Sequence, residues 1–152
     1  LSTRRQRQMC IRDRYKDLIF DETHLVLQKG KISKNSPTLV RVQQSNFFHD
    51  LLNINEFGAR WSVSDSMKKI NEAGKGIILL IDGENKKQDE FNEINASKKK
   101  RITAPNNDPR RIGIGSQILR DLGVQKIKLM GSEVRYPSLS GFDLEVTEYL
   151  KK

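Results

Sequence analysis

With 152 residues and a single cysteine, Cys10, the chain is sized for one domain and can build neither an internal disulfide nor a multi-cysteine metal site. Its longest apolar stretch, Gly76 to Ile81, is strand-length and far short of the roughly 20 residues of a membrane span, so the chain reads as a soluble protein suited to a reducing cytoplasm. Of the formal charge of +9, Arg4, Arg5, Arg7, Arg12 and Arg14 against Asp13 place +4 within the first fourteen residues, and that concentration argues against a nucleic-acid-binding surface.

Residues 1–14 show no amphipathic period and lack the apolar core of a signal peptide, so they are expected to be a non-native or disordered tail, with the domain running over 15–152. From Tyr15 to Gln28, Leu18, Phe20, Leu25 and Leu27 form two short runs around Asp21-Glu22-Thr23, which predicts a hairpin. After turn residues at Lys29 to Lys31 and Ser33 to Pro37, Thr38 to Gln43 alternates Leu39, Arg41 and Gln43 against Val40 and Val42, a strand with one apolar face. Ser64 is placed to cap a helix through Ala73, with Met67, Ile70 and Ala73 on one side and Gly74 as its stop. Ile77 to Ile81 is a continuous β-branched and leucine run, the pattern of a strand buried on both faces.

Residues 82–107 hold few large apolar side chains, Phe91, Ile94 and Ile102, and read as a long polar loop. Lys98-Lys99-Lys100-Arg101 lies within it and is a solvated charge run, with polyanion binding the alternative. A Gly113-Ile114-Gly115 turn then opens an amphipathic run, Ile114, Ile118, Leu119 and Leu122, which Gly123 closes. Val124, Ile127 and Leu129 follow as a strand, and Phe142, Leu144, Val146 and Tyr149 supply the last one. The succession of strand, helix, strand, helix and strand predicts an α/β fold, a mixed sheet with flanking helices.

The segment Asp108-Pro-Arg110-Arg-Ile-Gly-Ile-Gly-Ser-Gln-Ile-Leu, leading into Asp121-Leu-Gly-Val, resembles the late part of the GTP cyclohydrolase II domain of riboflavin biosynthesis. Val40-Arg41-Val42 is similar to the Val-Arg-Val strand of that family. Gly74-Lys75-Gly76-Ile77 is similar to its helix-to-strand step, and Gly141-Phe142-Asp143-Leu144-Glu145-Val146 to its closing strand. Four such pieces in order cover roughly residues 15 to 150.

The resemblance implies a zinc site made by three cysteines, whose places fall here at Asn46 and at about Phe57-Gly58-Ala59. These side chains offer no thiolate or imidazole, so no metal or other cofactor is expected. The two imidazoles of the chain are His24 and His49; His49 with Asp50 falls short of a three-ligand site and is read as a polar residue beside Phe47 and Phe48. The family's nucleotide cradle is replaced by Asp82-Gly83-Glu84-Asn85, and its substrate-contacting Thr-Asn-Asn-Pro by Gly131-Ser132-Glu133-Val134. What survives is Asp108 and Arg110, which the resemblance assigns as proton acceptor for water and as nucleophile toward the α-phosphate, together with Arg41 as a substrate-binding residue. Asp108 before a proline is equally ordinary turn chemistry. Gly113-Ile114-Gly115 at a helix N-terminus would suit an anion.

The expected function is therefore that of a degenerate cyclohydrolase II-like domain, structural or regulatory in role, of the kind fused behind 3,4-dihydroxy-2-butanone-4-phosphate synthase. Its expected partners are an upstream synthase domain, a second copy of the chain and residual GTP. A pyrophosphate-releasing enzyme and a polyanion-binding module are the alternatives.

Overall fold

The computed structural model describes residues 11–18, 21–44, 61–81, 109–133 and 137–152. Strand β1 (Ile11–Lys16) forms an antiparallel hairpin with β2 (Thr23–Lys29), closed where the Asp17 amide donates to the Glu22 carbonyl at 2.8 Å. Then come β3 (Thr38–Gln44), helix α1 (Val63–Ala73), β4 (Gly76–Ile81), helix α2 (Pro109–Asp121) and β5 (Lys126–Met130). A 3-10 turn (Pro137–Phe142) precedes the last strand, β6 (Glu145–Leu150). The six strands make one mixed sheet in the order β1-β2-β4-β3-β5-β6, antiparallel across β1, β2 and β4 and parallel from β4 through β6. This is the expected α/β fold. None of the described helices is long and apolar enough to cross a membrane.

The connections explain the layers. From β3 the chain steps through α1 to β4 on one side, then through α2 back over β3 to β5 on the other. Because such crossovers are right-handed, two steps in opposite directions put their helices on opposite faces. The packing agrees. Val26, Val40, Ile77, Leu79 and Ile127 face α2, where Ile118 and Leu119 meet them. Leu27, Leu39, Ile78 and Met130 face Ile70 of α1, with Met67 and Trp61 at the margin. The apolar run of β4 thus serves two cores, and β3 has two buried faces where the alternation suggested one. Each fully buried aliphatic side chain of this kind contributes about 1.5–3 kcal/mol.

Helix boundaries are set by local chemistry. Ser62, two residues ahead of the expected cap, accepts a hydrogen bond from the Asp65 amide at 3.0 Å, because its extended backbone turns its hydroxyl toward the orphan amides of the first turn. Gly74 ends α1 in the left-handed region, at φ 80°. Gly113 and Gly115 do not open the second helix. It begins at Pro109, a residue whose fixed φ suits a first helical position, and both glycines lie inside it without positive φ. The anion site expected at a Gly113-Ile114-Gly115 helix start is therefore not formed there.

Two further boundaries differ from expectation. The tail boundary at residue 14 falls within β1, whose Ile11 to Arg14 pair with Gln28 to Leu25. This is an edge strand with Asp13 and Arg14 exposed, so it carries little of the apolar alternation by which strands are recognised. Phe142 belongs to the 3-10 turn rather than to the final strand, which starts after Asp143 takes φ 55°.

Gly76 and Tyr15 give two measurable consequences. A Cβ at Gly76 would stand 2.7 Å from Ile70 Cγ1 and 2.8 Å from the Leu39 carbonyl oxygen. Gly76→Ala is therefore expected to destabilise the protein by about 1–3 kcal/mol, seen as a lower urea midpoint at unchanged slope. Burial, and then the hydrogen bond from its hydroxyl to Asp121 Oδ2 at 2.7 Å, raise the Tyr15 pKa from 10.0 to about 12. A pKa raised by folding gives stability that is complete below pH 10 and disappears between pH 10 and 12. Tyr15→Phe is expected to lose less stability across that interval than the native protein, as read from denaturation midpoints.

Candidate functional site

In an open α/β sheet a ligand crevice forms at the carboxyl ends of neighbouring strands whose following loops leave toward opposite faces. Here those strands are β3 and β4, paired to their ends at Gln44 and Ile81. Because β2 runs antiparallel to β4 and Leu25 pairs with Leu80, the start of β2 reaches the same end of the sheet. The N-terminus of α2 also returns there, by way of Arg110.

Arg110 lies in the first turn of α2, and its Nη2 meets Glu22 Oε2 at 2.8 Å. The glutamate side chain is only 11% exposed and the arginine 36%, so this pair is more shielded than an ordinary surface salt bridge. Beside it are Asp17, from the other limb of the hairpin, and His24, which is 1% exposed. One potential ligand atom from each of Asp17, Glu22 and His24 lies within 4.8 Å of those of the other two. The opposite end of α2 is tied to the same hairpin by the Tyr15–Asp121 hydrogen bond.

Arg41, expected to bind substrate, stands on the other face of the sheet. Alternation along β3 puts Val40 and Val42 toward α2 and Leu39, and with it Arg41, toward α1. Its Nη1 donates to the Met130 carbonyl at 2.8 Å and its Nη2 to the Trp61 carbonyl at 3.2 Å, while Trp61 Nε1 donates to the Leu150 carbonyl at 3.0 Å. The guanidinium thereby joins β3, β5 and the approach to α1. Arg41 and Arg110 are not brought together, and Arg41 is held by main-chain carbonyls.

Asp108, Asn46, His49, the Phe57 to Ala59 segment, the 82–107 loop and Lys98 to Arg101 lie outside the described residues. The grouping of Asp17, Glu22 and His24 carries no motif in the sequence, where Glu22 reads as part of the centre of a hairpin and His24 as one of two imidazoles. The signal available was a carboxylate on each limb of a short hairpin, with a histidine two residues beyond the second.

A sequence model of the family GTP cyclohydrolase II matches residues 7–151. Relatives include a 3,4-dihydroxy-2-butanone 4-phosphate synthase of Pseudomonas aeruginosa, 41% identical over 142 aligned residues that cover 90% of this chain and 38% of that protein. The synthase of the same name from Photobacterium phosphoreum is 37% identical over 139 residues, covering 90% and 38%. A riboflavin biosynthesis protein RibBA of Cytophaga hutchinsonii is 32% identical over 145 residues, covering 88% and 36%. The chain thus spans little more than a third of the length of these relatives. Taken with the mixed sheet and its two crossover helices, the match over nearly the whole sequence means that the chain belongs to the GTP cyclohydrolase II family.

Proposed function

We propose that this chain is a cyclohydrolase II-like domain of a riboflavin biosynthesis protein that lacks zinc-dependent ring opening and acts as a structural or regulatory partner to a 3,4-dihydroxy-2-butanone 4-phosphate synthase domain. The observation that carries the reading is the chemistry of the donor set. A catalytic zinc ion needs three protein ligands, with a fourth position open for water. Asparagine at 46, and phenylalanine, glycine and alanine at 57 to 59, do not supply them, and Cys10 is the single cysteine of the whole sequence. The residues present do not fit the ion, and no reaction step runs through it.

The arginine that survives adds support. A guanidinium stabilises phosphate charge when its field is directed at the phosphate. Arg110 instead directs Nη2 to the Glu22 carboxylate, which would have to yield before a phosphate could take the same donor. The proposed synthase partnership follows the names of the relatives and the third or so of their length that this chain matches. A synthase-coding segment in frame ahead of residue 7, where the family match begins, would support it, and a different coding segment there would remove it.

The purified chain, incubated with GTP, Mg²⁺ and Zn²⁺, is expected to release no formate. Formate above the level of a heat-denatured control would overturn the reading. Pyrophosphate release without formate, abolished in Arg110→Ala, would instead favour a residual phosphate-cleaving activity built on Asp108 and Arg110.

A further inference from the structure

We propose that Asp17, Glu22 and His24 form a binding site for a divalent transition-metal ion such as Mn²⁺, at the turn of the β1-β2 hairpin and built from residues other than those at the family's cysteine positions. The inference goes beyond the proposed function, since it concerns other residues and another ion.

Geometry comes first. An ion bound at about 2.0–2.2 Å from each ligand holds those ligands at most about 4.4 Å apart, and about 3 Å apart where they are neighbours in an octahedral shell. Ligand atoms already within 4.8 Å of one another can reach that range through small torsional adjustments of the two carboxylates. The imidazole need not search for its position. At 1% exposure on a paired strand, His24 is fixed by the sheet, whereas Asp17 and Glu22 come from the ends of the turn that it adjoins. A ligand set built on one locked residue loses less conformational freedom on binding than one assembled from three mobile side chains.

The donor types select the ion. Two carboxylates and one imidazole suit Mn²⁺, Co²⁺ or Zn²⁺ better than Mg²⁺ or Ca²⁺, which prefer all-oxygen shells. The imidazole also distinguishes this group from an exposed acidic patch, where carboxylates gather without selecting any ion.

Charge is compatible with occupancy. Two carboxylates against the Arg110 guanidinium leave a net charge of about −1 before an ion enters. Glu22 gives one oxygen to Arg110, and a carboxylate has two oxygens with about four lone-pair sites, so a guanidinium and a cation can share it. With the ion bound, the cation and Arg110 would flank the same carboxylate, and two positive groups side by side suit a phosphate-bearing ligand.

The test uses the full chain, stripped with chelator and titrated with MnCl₂ alone, with free Mn²⁺ read by electron paramagnetic resonance. One saturable Mn²⁺ per chain is expected, weakened at least tenfold in Asp17→Asn and in His24→Gln, with a rise in melting temperature on adding Mn²⁺ that both variants lose. Arg110→Ala should retain the ion or bind it more tightly, because a competing positive charge is removed. Absence of saturable binding, or equal affinity in native protein and Asp17→Asn, overturns the proposal. If His24→Gln fails to fold, Asp17→Asn decides, since Asp17 lies half-buried on the hairpin rather than in the core. GTP is absent throughout, so the result stands apart from formate release.

Discussion

The structure depends on burying both faces of one short strand. Gly76–Ile81 has no polar side chain, and the backbone of β4 is paired on both sides, antiparallel with β2 and parallel with β3. A strand like this must be covered above and below. The two crossovers that begin and end next to it deliver α1 to one face and α2 to the other. Its first residue sets the tolerance of the arrangement. Gly76 lets Ile70 come close to the sheet, and even a methyl group there would collide with both the helix side chain and the neighbouring strand.

The same topology decides where the surviving family residues end up. Crossovers leaving in opposite directions make the carboxyl ends of β3 and β4 a switch point of the sheet, and α2 carries Arg110 back to that end. Residue alternation along β3 points Arg41 the other way. Two arginines that a motif reading treats as parts of one substrate site are separated by the thickness of the sheet. Arg41 fastens the Met130 and Trp61 carbonyls, and Arg110 meets a shielded carboxylate.

Much of the fold could be read in the sequence because its central elements carry strong apolar patterns: the β4 run, the Ile118-Leu119 helix face, and Leu39 to Val42. What was misread had weak or ambiguous signals. The polar edge strand β1 has little alternation to detect, and Ser62 and Ser64 were both chemically able to cap α1. The glycines at 113 and 115 suggested a turn, yet a proline four residues earlier had already started the helix. The site was less legible than the fold. Asp17, Glu22 and His24 are brought together by hairpin closure, and no periodic pattern records which side chains meet around a turn.

The two tethers of α2 have a mechanical consequence. Arg110 near its first residue and Asp121 at its last both hold the β1-β2 hairpin, through Glu22 and Tyr15. An edge hairpin would ordinarily fray independently of the layer beneath it. Here the outer two strands can peel from the sheet only by releasing a thirteen-residue helix at both ends. Hairpin and helix should therefore exchange their amide hydrogens as one cooperative unit, with a ligand on either half slowing both.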